Sequence, residues 1–121
     1  MTISLHGLRT VIYPAPDLAA ATNWWAELLG VRPYFEEPFY VGFEVGGYEL
    51  GLLPTADPGE GALTYWGVDD VGAAMSEAIA QGAVEHRPAA EVGDGIVTGS
   101  VVTPGGAILG LIYNPHFKVS G

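Results

Sequence analysis

The spacing of apolar residues in the first half of the chain predicts a strand, a helix and then three more strands. Residues 7–13 are rich in β-branched and aromatic side chains and end at Pro14, which is typical of a strand. Asp17 is a preferred helix N-cap and Gly30 a preferred C-terminal stop, so a helix is predicted over residues 17–29. Further strands are predicted at 31–35, 39–45 and 48–53, with turns at 36–38 and 46–47.

The apolar residues of this helix form one stripe, which predicts the face that packs against the strands. The stripe follows helical spacing and consists of Leu18, Ala21, Trp25, Leu28 and Leu29, with Trp24 at its edge. We therefore expect both tryptophans in the core.

The second half of the chain repeats this order. Residues 62–68 predict a strand, and Asp69 or Asp70 caps a helix that ends at Gly82. The apolar stripe of that helix consists of Val71, Ala74, Met75, Ala78 and Ile79. Strands follow at 83–87, 96–102 and 107–113, with a loop at 88–95. We therefore predict a single domain, residues 1–121, built from a module at 1–53, a connector at 54–61 and a module at 62–121.

A seven-residue motif, Gly-Gly-x-x-Leu-Gly-Leu, occurs once in each half, at residues 46–52 and 105–111. Its first glycine can adopt the positive φ of a two-residue hairpin loop, and the alternation after it predicts a strand. Leu50 and Leu52 then share one face, and Glu49 and Gly51 share the other. The motifs are 59 positions apart but the helices only 52, so the second half has seven additional residues, most simply placed in the 88–95 loop.

Composition narrows the class of protein. Hydrophobic residues make up 49% of the 121 positions and charged residues 15%, as expected for a packed globular domain. The net charge of −10 repels phosphate backbones, so we expect no nucleic-acid partner, and it favours cationic molecules. A simpler interpretation is that the acidity keeps the protein soluble. The absence of cysteine excludes disulfides, thiolate metal sites and cysteine nucleophiles. Without a membrane span or signal peptide, we expect a soluble cytoplasmic protein with no membrane partner.

With this order of elements, the chain resembles the vicinal oxygen chelate superfamily, which includes glyoxalase I, extradiol dioxygenases, methylmalonyl-CoA epimerase and bleomycin-resistance proteins. The resemblance covers essentially the whole chain. It depends on Pro-Asp-Leu at 16–18, Leu-Leu-Gly-Val at 28–31, Gly-Val-Asp-Asp-Val at 67–71 and Thr-Pro-Gly-Gly at 103–106. It implies an α+β fold in which two tandem βαβββ modules form curved mixed sheets around a cavity. It also implies a homodimer, with modules paired within a chain or exchanged between chains.

Enzymes of that superfamily hold a divalent metal with four side chains, one from each of four strands. The matching positions in this chain are Thr10, Gly51, Leu63 and Gly110. A divalent ion needs several imidazole, carboxylate or other lone-pair donors, and these residues supply one weak donor. The resemblance therefore implies that the metal site has been lost, and we expect no metal and no cofactor. The two glycines would leave space that a ligand could occupy.

Several residues are candidates for a ligand site on the cavity face. Glu49 shares a face with Gly51 and could pair with a cation or act as a base. Tyr65 should face the cavity and its neighbour Trp66 the core. The expected ligand-binding residues are Thr10, Phe39, Tyr40, Glu49, Gly51, Leu63, Tyr65 and Gly110, with Phe35, Phe39 and Tyr40 forming an aromatic and acidic lip beside the 36–38 turn. The alternative for each is an ordinary packing or surface role.

Three hypotheses of function follow. The first is a metal-free protein that binds a small cationic or aromatic molecule in an apolar, acidic pocket. The second is an enzyme of the lyase, isomerase or dioxygenase type, which would use an unrecognised metal site or acid–base chemistry at Glu49 or His86. The third is a subunit or interaction module with a vestigial pocket. A serine triad has no support, because Ser100 lacks the Gly-x-Ser-x-Gly context.

Overall fold

The computed structural model describes residues 4–116, which form two compact units of mixed α and β structure. The first unit comprises residues 10–63 and the second comprises residues 64–116 together with 4–9. The elements are β1 (Leu8–Pro14), α1 (Leu18–Leu29), β2 (Phe35–Glu37), β3 (Tyr40–Val45), β4 (Tyr48–Leu53), β5 (Leu63–Gly67), α2 (Val71–Ala80), β6 (Val84–Gly93), β7 (Ile96–Val102) and β8 (Ile108–Tyr113). The fold is α+β, as predicted.

The N-terminal residues belong to the second unit because their backbone pairs with it. The amide of His6 donates to the carbonyl of Gly67, and the amide of Gly67 donates to the carbonyl of Gly7. His6 Nε2 also lies 3.0 Å from Asp69 Oδ1. The tandem modules at 1–53 and 62–121, with a connector at 54–61, remain a prediction.

In the first unit the strands run in the order β2-β3-β4-β1, with β1 parallel to β4 and the other neighbours antiparallel. Leu50 and Leu52 of the repeated motif are buried with Val41 and Phe43, and Ala26 of α1 covers them. Glu49 and Gly51 therefore project from the face of the strands that is turned away from α1. This is the alternation predicted from the motif.

In the second unit the order is β5-β8-β7-β6, with β5 parallel to β8 and the others antiparallel. Val101 and Leu111 are fully buried and pack with Val71 and Met75 of α2. Gly110, the neighbour of Leu111, projects from the face turned away from α2.

Both helices begin at an aspartate. The side chain of Asp17 accepts a hydrogen bond from the amide of Ala20 at 3.1 Å, and α1 ends at Gly30 in the left-handed conformation, with φ 72°. At α2 the cap is Asp70, whose carboxylate accepts from the amide of Ala73 at 3.0 Å. Of the two aspartates that the sequence left open, Asp69 is therefore not the cap.

The two copies of the motif make different turns. Gly46 and Gly47 both have positive φ, 61° and 90°, which is the predicted two-residue hairpin loop. In the second copy only Gly106 has positive φ, 91°, and its amide donates to the carbonyl of Thr103. The prediction for Gly105 was therefore wrong. Pro104 is locked near φ about −65°, which suits a type I turn followed by one left-handed glycine.

Two predicted loops are strands. Residues 36–37, predicted as part of a turn, belong to β2, because Glu36 pairs with Val41 and Glu37 with Tyr40. The predicted strand at 31–35 contributes only its last residue. The predicted loop at 88–95 is largely β6, whose pairing with β7 shifts register three times. The additional residues of the second half therefore lie in an irregular strand. Pro88 is tolerated there because β6 is an edge strand.

The buried stripe of α1 lies to one side of the predicted one. Trp24 is 59% exposed and Leu28 is 62% exposed, so their predicted core positions were wrong. The stripe contains Thr22, which is only 3% exposed because its hydroxyl donates to the carbonyl of Leu18 at 2.7 Å. Trp25 is half-buried and stacks on Tyr13, with ring centroids 5.3 Å apart. Trp66 is only half-buried and lies outside both core clusters.

Neither α-helix within residues 4–116 is long and apolar enough to cross a membrane, since the longer has 12 residues.

Candidate functional site

A half-buried carboxylate held by two phenols lies on the open face of the first unit. Tyr40 donates its hydroxyl hydrogen to Glu49 Oε2 at 2.5 Å, and the hydroxyl of Tyr34 also hydrogen-bonds Glu49. We call Tyr34, Tyr40 and Glu49 the tyrosine–carboxylate cluster. Thr10 of β1, which is 7% exposed, pairs with Glu49 in the parallel register and so lies on the same face.

Two glycines make room for this cluster. Gly42 and Gly51 are paired across β3 and β4. A Cβ at Gly51 would lie 2.7 Å from Tyr40 Cζ and closer still to the hydroxyl, and a Cβ at Gly42 would lie 2.9 Å from Glu49 Oε2 and 3.2 Å from the Tyr34 hydroxyl. Any larger residue would push the phenols away, so the glycines serve close approach. The space that the sequence assigned to a ligand above Gly51 is filled by Tyr40.

The surroundings of Tyr34 favour its neutral, protonated form. Partial burial raises the pKa of Tyr34 well above its usual value of 10.0, and the negative charge and hydrogen bond of Glu49 raise it further. Tyr34 therefore remains a hydrogen-bond donor at neutral pH. The residue as a whole is 61% exposed, whereas its hydroxyl lies beside Gly42 and Glu49.

This face of the first unit is acidic. Glu44 pairs directly with Glu49 across the strands, and Glu37 pairs with Tyr40. The only basic residue within 10–63 is Arg32, whose guanidinium lies 3.6 Å from Glu36. Within the part of the chain that the structure describes, Glu49 forms no ion pair.

The equivalent face of the second unit has different chemistry. The ring of Tyr65 lies over Gly110, where a Cβ would meet Tyr65 Cδ1 at 2.7 Å and would also press against the carbonyl oxygen of Thr64. Ser100 pairs with Gly110 and is 3% exposed. Its hydroxyl lies 2.8 Å from His86 Nδ1. Burial raises the pKa of Tyr65, and the positive charge of Arg87 opposes that rise.

These residues do not form the metal site of related enzymes. Two of the four matching positions are glycines, Gly51 and Gly110, and tyrosine rings occupy the space above each. A third position is Leu63, whose side chain has no donor atom for a metal. Among residues 4–116, no three His, Asp or Glu side chains converge in a way that could hold a metal ion. The donor set at these positions therefore does not fit a divalent metal.

The structure divides the predicted site residues between the units. Thr10, Tyr40, Glu49 and Gly51 come together in the first unit, and Tyr65 and Gly110 come together in the second with His86. Phe39 is 64% exposed and contacts Phe35, with ring centroids 6.1 Å apart. Leu63 is the half-buried first residue of β5.

Sequence reasoning missed Tyr34, Ser100 and Arg87. A signal existed for the first: Gly42 is a glycine inside a strand, which marks close approach of another group. For Ser100 and Arg87 there was no comparable signal, because their positions depend on how β6 pairs with β7.

A shallow surface depression of about 390 Å³ lies elsewhere, at the C-terminal end of α1. Its lining includes Asn23, Glu27, Gly30 and Arg32. It is open to solvent and lacks a buried polar group directed into it, so the tyrosine–carboxylate cluster is the better candidate site.

Comparison with known protein families places most of the chain in one of them. A family model described as the Glyoxalase/Bleomycin resistance protein/Dioxygenase superfamily matches residues 7–109. No curated protein sequence matches the chain.

Solved structures share the fold at low sequence identity. A single-residue variant of Streptomyces coelicolor methylmalonyl-CoA epimerase, in complex with 2-nitronate-propionyl-CoA, is 16% identical over 93% of this chain and 99% of its own, with a TM-score of 0.75. A methylmalonyl-CoA epimerase from Mycobacterium tuberculosis is 18% identical over 95% and 93%, with a TM-score of 0.70. A Legionella pneumophila structure described as an NAD-dependent benzaldehyde dehydrogenase is 18% identical over 90% and 98%, with a TM-score of 0.68. At such identities the likeness shows the fold alone.

Proposed function

Because this chain belongs to the Glyoxalase/Bleomycin resistance protein/Dioxygenase superfamily, we propose that it binds a small organic cation at the tyrosine–carboxylate cluster of its first unit. The superfamily fold positions strands that expose one open face, and the side chains on that face set the chemistry. On this chain the face presents a carboxylate and aromatic rings, which together suit a ligand with a positive charge and an apolar body.

The observation that carries the proposal is the environment of Glu49. The carboxylate is half-buried and accepts hydrogen bonds from Tyr40 and Tyr34, and the pKa of Tyr34 is raised by burial and by Glu49. Within residues 4–116 no basic side chain neutralises it. A partly desolvated carboxylate without a cationic partner is stabilised by a cation that a ligand provides, and this stabilisation exceeds that at a fully exposed carboxylate.

Aromatic rings beside the carboxylate strengthen the case for an organic cation. Phe35 contacts Tyr40 with centroids 6.2 Å apart, and Phe39 contacts Phe35 in turn. Ring faces attract alkylammonium and similar cations by about 0.5–2 kcal/mol each. A simple inorganic cation gains less from such a surface than an aromatic amine does.

The test is a comparison of two small ligands of the same shape. Benzylamine, protonated at neutral pH, should bind saturably and raise the melting temperature, whereas neutral benzyl alcohol should bind at least about tenfold more weakly. Glu49→Gln should remove the preference for the amine. Glu27→Gln, which removes a carboxylate from α1 and leaves the cluster intact, should preserve it. Equal binding of amine and alcohol, or an unchanged preference in Glu49→Gln, would overturn the proposal.

The metal-free part of the proposal is tested separately. Elemental analysis of protein purified without chelator should find less than about one tenth of an equivalent of Ni, Zn, Fe or Mn per chain, because the matching positions lack donors. About one equivalent of any of these metals would contradict it.

An enzyme of the same superfamily is the second candidate, and one contact favours it. The short hydrogen bond between Tyr40 and Glu49 places a proton donor and a proton acceptor together, as acid–base chemistry requires. Several of the structures with the same fold are methylmalonyl-CoA epimerases, so epimerisation of methylmalonyl-CoA is the assay to run. Turnover that Glu49→Gln abolishes would support the enzyme, whereas absence of turnover with binding of benzylamine supports the binding protein.

The cytoplasmic location and the homodimer remain predictions. Light scattering coupled to size exclusion measures the number of chains per particle, and two chains would agree with the prediction.

A further inference from the structure

Four residues of the second unit lie in one row across its strands. Arg87 of β6 pairs with Ser100 of β7, Ser100 pairs with Gly110 of β8, and Tyr65 of β5 also pairs with Gly110. Residues paired across strands project to the same face, which here is the face turned away from α2. The row therefore places a guanidinium and a phenol at its ends and two small residues between them.

A bulge in β6 directs the basic residues onto this face. Between the pairs Glu85 with Val101 and Arg87 with Ser100, β6 advances two residues while β7 advances one, so His86 is the additional residue. Two residues of a bulged strand oppose one residue of its partner, and the bulge re-aims their side chains. The contact between His86 Nδ1 and Ser100 Oγ at 2.8 Å shows that His86 also reaches this side.

The acidic residues of the same strand pair with positions on the other face. Glu85 pairs with Val101 and Glu91 with Val97, and both valines pack toward α2. Among the described residues Arg87 forms no ion pair. An arginine thus lies on an open face whose strand residues include no carboxylate, in a chain whose net charge is −10.

We propose that Arg87, Ser100, Gly110 and Tyr65 form a second ligand site, which binds the carboxylate group of a small organic acid. The guanidinium fork matches the two oxygens of a carboxylate, and the Tyr65 hydroxyl supplies a third donor. Ser100 and Gly110 are small, so the Tyr65 ring lies directly over Gly110 and His86 lies against Ser100. The anion binds above these groups, between the Arg87 guanidinium and the Tyr65 hydroxyl. Tyr65 also offers its ring to an apolar ligand body. The site lies within the second unit and does not depend on the proposed function of the first.

Benzoate and benzamide, which have nearly the same shape, provide the test. In NMR titrations of the full chain, benzoate should shift the side-chain signals of Arg87 and Tyr65 saturably, and neutral benzamide should bind at least about tenfold more weakly. Arg87→Gln should weaken benzoate binding at least about tenfold, and Arg87→Lys should retain only part of it because the fork is lost. Tyr65→Phe should weaken it by about threefold or more.

The matched control is Arg32→Gln, which removes the same charge from the first unit and should change benzoate affinity by less than about twofold. The proposal is overturned by equal binding of benzoate and benzamide, by equal losses in Arg32→Gln and Arg87→Gln, or by no saturable binding of benzoate. Inorganic phosphate binding more tightly than benzoate through Arg87 would overturn the assignment to carboxylates. Circular dichroism and the melting temperature of each variant establish that it is folded.

Discussion

Tyr40 donates a 2.5 Å hydrogen bond to Glu49, and its phenol lies directly over Gly51, the inner glycine of the first copy of the repeated motif. The phenol occupies the space that a side chain at position 51 would take. In the second unit the ring of Tyr65 lies over Gly110 in the same way. In both copies of the motif the inner glycine therefore leaves room for a tyrosine ring. Tyr40 contacts the carboxylate of Glu49, whereas Tyr65 lies near Arg87.

The two inner glycines should differ in their tolerance of alanine. In Gly51→Ala the new methyl group meets the far end of the Tyr40 side chain, which can swing away at a cost of about 1 kcal/mol with loss of the bond to Glu49. In Gly110→Ala it meets the backbone carbonyl of Thr64, which cannot move independently, so we expect a loss of about 3 kcal/mol. Urea denaturation measures both values.

Gly105→Ala is the control for these variants, since a Cβ there would meet nothing closer than 3.9 Å and the residue lacks positive φ. Its stability should change by less than about 0.5 kcal/mol. Equal losses for Gly51→Ala and Gly110→Ala would contradict the packing described at these positions.

Alkaline pH should destabilise the protein through the two tyrosines whose pKa is raised, Tyr34 and Tyr65. The folded protein raises the pKa of Tyr34 and Tyr65 above 10.0, so it binds their protons more tightly than the unfolded chain does. The stability that this provides is complete below pH about 10 and is lost as the pH rises toward the folded pKa values. Tyr34→Phe and Tyr65→Phe should each flatten the decline of unfolding free energy above that pH.

Asp69 and Asp70 form a matched pair for testing the N-cap of α2. Asp70→Ala removes the acceptor for the amide of Ala73 and should cost about 1 kcal/mol of stability. Asp69→Ala removes only an exposed contact with His6, so its cost should stay below about 0.5 kcal/mol at neutral pH. Thermal denaturation of the two variants tests whether Asp70 is the N-cap of α2. A greater loss of stability in Asp69→Ala would refute that assignment.

Alanine substitutions of Trp24 and Trp25, which are adjacent in α1, should reduce the stability of the protein by different amounts. Trp25→Ala removes a ring that stacks on Tyr13 and packs against the core, so we expect a loss of about 3 kcal/mol. Trp24 is 59% exposed, and Trp24→Ala should cost less than about 1 kcal/mol. Comparable losses in chemical denaturation would mean that the helix packs through a different face.

Short-range signals predicted most of the fold. Asp17 and Gly30 bound α1 as predicted, because a cap depends on backbone groups within three or four residues. The face of Leu50 and Leu52 was predicted correctly because alternation along a strand is a local property. Trp24 was misplaced because the stripe of α1 includes Thr22, whose hydroxyl is satisfied inside the helix and so can be buried.

The sequence by itself determined the order of elements, both caps of α1, the repeated motif and the position of Glu49 on the face opposite the core. Each of these depends on residues close together along the chain. Only the tertiary structure decided which partners Glu49 has and where Arg87 lies. Tyr34 reaches Glu49 through the hairpin of β2 and β3, and Arg87 reaches the row of Ser100 through a bulge in β6. Both depend on the register between strands, which is set when the core packs and one face of each strand is buried.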